Sequence, residues 1–236
     1  MAIFGKLFGS GAAHPRELTA REGYGLARQA LEEAYPVEAG AGYLCCLYTS
    51  VFDSETTILE DGKCRAWHFD FFLPDLQRLF LVRIQQGKIK TREKAWEKTQ
   101  KEPVQYVLAL YGMTPQLATE EGPPRLPENW ADTPGLCNRL KQALEPYNSA
   151  QHGAQYAPVA LCMPAEYLVD LQSEERQRRL LFPAPGRGSM AALCTTDELY
   201  EEDCFLFYLD ASTGEIQQTH AFRYPSLWTF GVSVDW

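Results

Sequence analysis

The sequence lacks the patterns that identify most enzyme classes. It has no CxxC pair, no G-x-S-x-G string and no Walker-type phosphate loop. Histidine is scarce, with four among 236 residues, whereas a zinc site needs three or four ligands in one place. The sequence therefore predicts no metal site and no cofactor, and an enzyme is the less favoured class of function.

The sequence also has few positive charges and no long apolar run. The chain has 22 Lys and Arg against 31 Asp and Glu, a net charge of −9. This balance repels phosphate backbones, so it argues against nucleic acid and favours a basic protein partner. No stretch approaches the ~20 apolar residues that span a bilayer. The apolar N-terminal residues are too few for a signal-peptide core, and membrane contact by them is not favoured: Ile3, Phe4, Leu7 and Phe8.

Seven cysteines are present, an odd number, and most lie inside apolar runs such as Leu44-Cys45-Cys46-Leu47. Free, buried cysteines are typical of a reducing compartment. We therefore expect a location in the bacterial cytoplasm.

The order of the predicted elements indicates an α+β fold. Thr19 and Glu22 have the spacing of a capping box, which predicts a helix that ends before Pro36. Alternating and β-branched segments then predict strands over 43–52, 63–73, 78–85 and 88–91, followed by a helix over 92–112. In the second half a helix is predicted over 133–147, with strands over 156–171, 190–195, 203–210 and 216–222.

The two halves resemble each other in this order. Each predicts a helix followed by strands, and a glycine turn joins two strands at Gly87 and again at Gly214. The sequence thus predicts two diverged repeats, each a helix packed on an antiparallel sheet of three to four strands, although similar turns can arise independently. The predicted boundaries are an N-terminal segment over 1–16, a first α+β unit over 17–113, a Pro-rich linker over 114–134 and a second α+β unit over 135–236.

A family resemblance supports the same arrangement. Asp210-Ala-Ser-Thr-Gly-Glu-Ile216 resembles the closing turn of PepSY-type modules. The resemblance extends over Leu136 to Thr219 and, more faintly, over Leu26 to Thr91. It implies a helix against an antiparallel sheet, and a binding or inhibitory role rather than catalysis.

His68 and Asp70 are the candidate catalytic residues. They alternate with Trp67, Phe69 and Phe71 along the predicted strand over 63–73, so the apolar set faces the core and the polar pair faces outward or toward an edge. A histidine beside a carboxylate is the beginning of a general base or a metal ligand set. The favoured alternative is that the pair forms the solvated face of an amphipathic strand.

Aromatic residues are the candidate binding residues. Their first explanation is core packing, and the second is an aromatic-lined cleft between the two halves, because ligand pockets favour domain junctions. The residues are Trp67, Phe69, Phe71, Trp228, Phe230 and Trp236.

Three functional hypotheses follow. The favoured one is a non-enzymatic binding or inhibitory protein, for example an immunity or antitoxin-like protein that masks a basic partner. The second is a small hydrolase that uses His68 and Asp70. The third is a structural or assembly subunit that forms homo-oligomers through an exposed sheet edge.

Overall fold

The computed structural model describes residues 17–49, 61–96, 122–123, 125–150, 155–163, 189–195 and 203–223. In these residues two α-helices accompany eight strands. The helices are α1 (Ala20–Ala34) and α2 (Thr133–Ala150), and the strands are β1 (Tyr43–Tyr48), β2 (Ala66–Leu73), β3 (Arg78–Gln85), β4 (Lys88–Ala95), β5 (Ala157–Met163), β6 (Ser189–Thr195), β7 (Asp203–Asp210) and β8 (Ile216–Arg223). Short 3₁₀ turns lie at Glu38–Gly40 and Pro74–Leu76.

All eight of these strands belong to one antiparallel sheet, in the order β4-β3-β2-β1-β5-β6-β7-β8. The first half supplies one meander of four strands and the second half supplies the other. They join where β1 pairs with β5, with Leu47 opposite Met163 and Tyr48 opposite Cys162. The α+β class with antiparallel strands is therefore confirmed, while a common origin of the two halves stays a prediction.

The start of α1 follows from its capping box. The Glu22 amide donates to the Thr19 hydroxyl over 3.2 Å, and the Thr19 amide donates to a Glu22 carboxylate oxygen over 2.9 Å. The two side chains satisfy amides that have no partner inside the helix. Ala27 and Leu31 then bury one face of the helix, as the predicted apolar periodicity requires.

Apolar residues cover both faces of β1, β2 and β3 in the first meander. The face under the helices forms a core that runs through both halves, with Leu31, Phe69, Leu140 and Phe207 in one cluster. A second cluster covers the opposite face, and it contains Cys45, Phe72, Leu79 and Leu81. None of the helices in the described part combines the length and apolar character needed to cross a bilayer.

The N-termini of the two helices meet at Asp132. One carboxylate oxygen of Asp132 accepts from the Arg21 amide over 3.0 Å and from the Thr133 amide over 2.8 Å. The Thr133 hydroxyl accepts in turn from the Ala20 amide over 3.1 Å. A negative charge is stabilising near a helix N-terminus, and this one carboxylate lies at the N-termini of both helices.

The turn at Gly62 also packs against the start of α2. Its φ of +78° lies in the left-handed region, and an added Cβ would come within 2.5 Å of the Pro134 nitrogen. Glycine is therefore required both by the backbone conformation and by the close approach of α2.

Two predicted elements need correction. The helix predicted from residue 92 does not begin there, because β4 continues to Ala95. The residues of β4 pair with β3 from Lys88 opposite Gln85 to Ala95 opposite Arg78, so β4 continues along the full length of β3. Residues 97–112 lie outside the described residues. In β1 the described strand ends at Tyr48, and the prediction over 50–52 also falls outside them.

Candidate functional site

The structure buries His68 and Asp70. β2 is buried on both faces, and His68 and Asp70 are only 3% and 4% exposed. The expectation of a solvated face is therefore wrong, because the cluster around Phe72, Leu79 and Leu81 covers the side of the sheet that holds the polar pair.

Burial disfavours the charged form of both side chains. It raises the pKa of Asp70 to about 7, against the opposing charge of Lys94. It also lowers the pKa of His68 to about 3, and the charge of Arg83 acts in the same direction. The His68 ring stacks on Tyr48, with ring centroids 4.5 Å apart. Neither ring nitrogen hydrogen bonds to Asp70, so the pair is not arranged as a base with an orienting carboxylate.

Cys45 lies beside this pair. Its thiol donates to the backbone carbonyl of Asp70 over 3.1 Å. Burial and the Asp70 charge raise the pKa of the Cys45 thiol well above its usual range, which opposes thiolate formation. Within the residues that the structure describes, no three metal-ligating side chains come together.

Trp67, Phe69 and Phe71 lie in the core rather than in a cleft. Each is 0% exposed, and the Trp67 indole donates to the Leu18 carbonyl over 2.8 Å. Of the two explanations for the aromatic residues, core packing therefore applies to Trp67, Phe69 and Phe71. The remaining predicted contact residues fall outside the described residues: Trp228, Phe230, Trp236, Ile3, Phe4, Leu7 and Phe8.

A pocket of about 320 Å³ lies between the helix side of the first half and the segment that leads into α2. The described residues of this segment lie beside the start of β1. Gly122 is close to Phe72 of the second cluster, the Leu126 amide donates to the Leu44 carbonyl, and Leu126 and Trp130 belong to the main core. The pocket is lined by Tyr24, Arg28, Gly40, Gly42, Tyr43, Leu44, Arg125, Leu126, Pro127, Glu128 and Trp130.

Arg28 fixes one wall of the pocket. Its guanidinium donates to the carbonyls of Gly42 and Ala39 over 3.1 and 2.6 Å, and its Nε donates to Glu32 over 3.0 Å. These bonds tie α1 to the turn at Glu38–Gly40 and to the chain that enters β1. The charge of Arg28 is balanced by Glu32.

Arg125 stands at the opposite wall. Its guanidinium carbon lies 4.7 Å from the centre of the Tyr43 ring, within the range of a cation–π contact. The Tyr43 hydroxyl donates to the Pro123 carbonyl over 2.8 Å, and the Leu126 amide donates to the Leu44 carbonyl over 2.9 Å. These two bonds hold the backbone on either side of Arg125 against β1.

Trp130 is a buried residue of the pocket lining. Its ring meets Tyr24 edge to face with centroids 6.0 Å apart, and the Arg21 guanidinium lies 3.9 Å over its centre. Arg21 also donates to the backbone carbonyls of Trp130 and Glu128. The aromatic and cationic groups of the pocket are therefore fixed by neighbouring contacts.

Sequence reasoning missed this pocket. Arg125 and Trp130 lie in the predicted Pro-rich linker, and Tyr24 lies in the helix that Thr19 caps. The spacing of the two apolar residues Leu126 and Trp130, four apart, was a local signal that this part of the linker packs inward.

Comparisons with known proteins add little. No protein-family model matches this chain, and no curated protein matches its sequence. One similar solved structure is that of a candidate lipoprotein of Clostridium difficile 630, with 11% identity and a TM-score of 0.38, over 84% of this chain and 92% of that chain. A likeness this distant carries no argument, and the PepSY resemblance stays a prediction.

Proposed function

We propose that this protein is a non-enzymatic binding protein and that its partner enters the pocket between Arg28 and Arg125. The observation that carries the proposal is the lining, which presents Tyr24 and Tyr43 together with the two arginines, above the buried ring of Trp130. Tyrosine and arginine are among the residues that dominate binding hot spots. Because neighbouring contacts already fix these groups, little conformational entropy is lost when a partner binds.

The partner is proposed to be a protein with net positive charge in the bacterial cytoplasm. The net charge of −9 attracts such a protein over a distance and raises its rate of association. An inhibitory action of the immunity or antitoxin type follows if the acidic surface masks the basic surface of the partner.

The burial of His68 and Asp70 supports binding over the hydrolase alternative. A general base must come within hydrogen-bonding reach of its substrate, and these side chains are 3% and 4% exposed.

Blocking the pocket tests the proposal. A Cβ at Gly40 or at Gly25 meets no heavy atom within 4 Å, so a side chain can begin at either position without a clash. Gly40 lines the pocket and Gly25 lies on α1 outside it. We expect wild type and Gly25→Leu to capture the same basic protein stoichiometrically from a native-host lysate, with release at high salt. Gly40→Leu should lose it.

Two results count against the proposal. One is the absence of any stoichiometric protein in the wild-type capture, measured by quantitative mass spectrometry. The other is equal capture by Gly40→Leu and Gly25→Leu. Circular dichroism of both variants checks that each is folded.

A further inference from the structure

Arg125 is a cation without an anionic partner in the described part of the chain. It is exposed at the pocket, and its described contact is with the Tyr43 ring rather than with a carboxylate. A guanidinium presents five N–H donors, and a ring beneath it leaves its edge accessible. The side chain is thus positioned to bind an anion.

Arg28 does not supply a second unbalanced charge. Its Nε is paired with Glu32, and its two terminal nitrogens donate to backbone carbonyls. Its role is to hold the wall of the pocket.

The charges of the lining disfavour a ligand with two negative charges. Glu128 lines the same pocket and is exposed. Its carboxylate repels a dianionic phosphate more strongly than a monoanion, and among the described lining residues Arg125 is the arginine that has no carboxylate partner. A carboxylate has the charge and the planar geometry that a single guanidinium binds through two parallel hydrogen bonds.

The rest of the lining suits a flat or aromatic group attached to that carboxylate. Tyr24 and Tyr43 are partly exposed and line the pocket, and the space beside Gly40 is open. The Tyr24 hydroxyl makes no hydrogen bond among the described contacts, so it is available as a second donor.

We infer that the pocket binds a carboxylate carried by an aromatic or similarly flat group, with Arg125 as its charged donor and Tyr24 as its neutral donor. The inference rests on the proposed function and identifies the chemistry of that same site. The carboxylate comes from the C-terminus of a protein partner or from a free small acid.

The test uses matched acid and amide probes on the full chain. Binding of N-acetyl-phenylalanine, of its amide, of benzoate and of inorganic phosphate is measured at millimolar concentration by the shifts of the backbone amide signals of Gly40, Gly42 and Tyr43. We expect the two carboxylates to bind and the amide and phosphate to bind at least tenfold more weakly. Loss of a charge-assisted pair predicts roughly 10- to 100-fold weaker carboxylate binding in Arg125→Ala. Arg125→Lys should recover part of it and Tyr24→Phe should lose roughly threefold.

Arg139→Ala is the control, because Arg139 is an exposed arginine on α2 outside the pocket lining. Equal binding of acid and amide, no binding of either carboxylate, or equal losses in Arg125→Ala and Arg139→Ala would overturn the inference. If Gly40→Leu abolishes capture of the protein partner but Arg125→Ala does not, the carboxylate assignment fails while the proposed function stands. If a peptide ending in the partner's own C-terminus binds and its amidated form does not, the C-terminus is the source, whereas binding of benzoate alone identifies a free acid.

Discussion

At the scale of single residues, His68 and Asp70 titrate in opposite directions. The pKa of Asp70 is raised from 3.8 to about 7, so its stabilising effect is present at low pH and is lost as the pH rises toward 7. The pKa of His68 is lowered from 6.5 to about 3, so its stabilising effect is present above pH 6.5 and is lost as the pH falls toward 3. The nearby groups Arg83, Lys94 and Cys45 do not reverse either direction. Between pH 3.8 and 6.5 the effects of the two residues on stability offset each other.

Separate replacement of each residue should reveal how each one makes the free energy of unfolding depend on pH. Between pH 3.8 and 6.5, the unperturbed pKa values of the two groups, wild-type stability is expected to change little. In Asp70→Asn only His68 of the pair still titrates, so the free energy of unfolding should rise with pH by about 1.4 kcal/mol per pH unit. In His68→Gln only Asp70 still titrates, so the free energy of unfolding should fall with pH by a similar amount. Urea denaturation at a series of pH values measures both.

The variant that combines Asp70→Asn with His68→Gln is the control, and its free energy of unfolding should not change with pH in this window. Slopes of the same sign in the two single variants would contradict the assignment of burial as the cause. The control matters because both positions are buried and each replacement also changes packing.

The burial of His68 and Asp70 depended on information outside β2. Alternation within β2 assigned Trp67 and Phe69 to the core correctly, but it cannot show whether the other face is covered. The neighbouring strand carried that signal, because Leu79 and Leu81 alternate with Phe80 and Val82, so both faces of β3 are apolar. Two covered faces could therefore have been expected for β2, which lies between β3 and β1 in the sheet.

At the scale of elements, β4 is a basic strand at the edge of the described sheet. Four cations point to one face, three exposed and one half-buried: Lys88, Lys90, Arg92 and Lys94. If two copies paired through this edge, like charges would lie directly opposite each other, which is destabilising. Lysines on an edge strand oppose such pairing.

We therefore expect β4 to prevent oligomers through this edge. Replacing Lys88 and Lys90 with threonine should produce concentration-dependent dimers, while the wild type should not dimerise through β4. Sedimentation velocity measures this. Arg139→Thr with Lys141→Thr removes the same charge from α2 and should have no such effect. A wild-type dimer that the β4 variant weakens would show that the edge is an interface, as the assembly-subunit hypothesis requires.

Element boundaries were predictable where local signals are strong. The capping box at Thr19 placed α1 correctly, and the predicted limits of β3 and β7, at 78–85 and 203–210, are those of the structure. β4 was predicted to end at residue 91. Its last four residues are held by pairing with β3, and a charged segment has no local pattern that shows this.

At the scale of the whole molecule, Asp132 links the two halves through the helix N-termini. Asp132→Ala removes the acceptor of two amides and the charge at both helices, so we expect a loss of about 2 kcal/mol in the free energy of unfolding. Asp132→Asn keeps an acceptor and should cost about 0.5–1 kcal/mol. Denaturant titration measures both, and Asp75→Ala, at an exposed aspartate in the Pro74–Leu76 turn, should change little. Equal costs for the three variants would contradict this role.

The pocket is also a property of the whole molecule. Its residues come from α1, a 3₁₀ turn, β1 and the segment before α2. Tyr24 and Trp130 are brought together by the path of the chain before α2. No spacing along the chain records that path, so the sequence identified the α+β elements but not the place where they form a concavity.

The pairing of β1 with β5 has a consequence for synthesis of the chain on the ribosome. The Leu161 amide reaches the Thr49 hydroxyl across 112 positions, whereas β3 and β4 are joined by a two-residue turn. The first meander is therefore complete while β5 is still being translated. During that interval the edge of β1 at Leu47 and Tyr48 lacks the β5 residues that pair with it in the finished protein. We expect the nascent chain to aggregate through this edge of β1 until β5 has emerged.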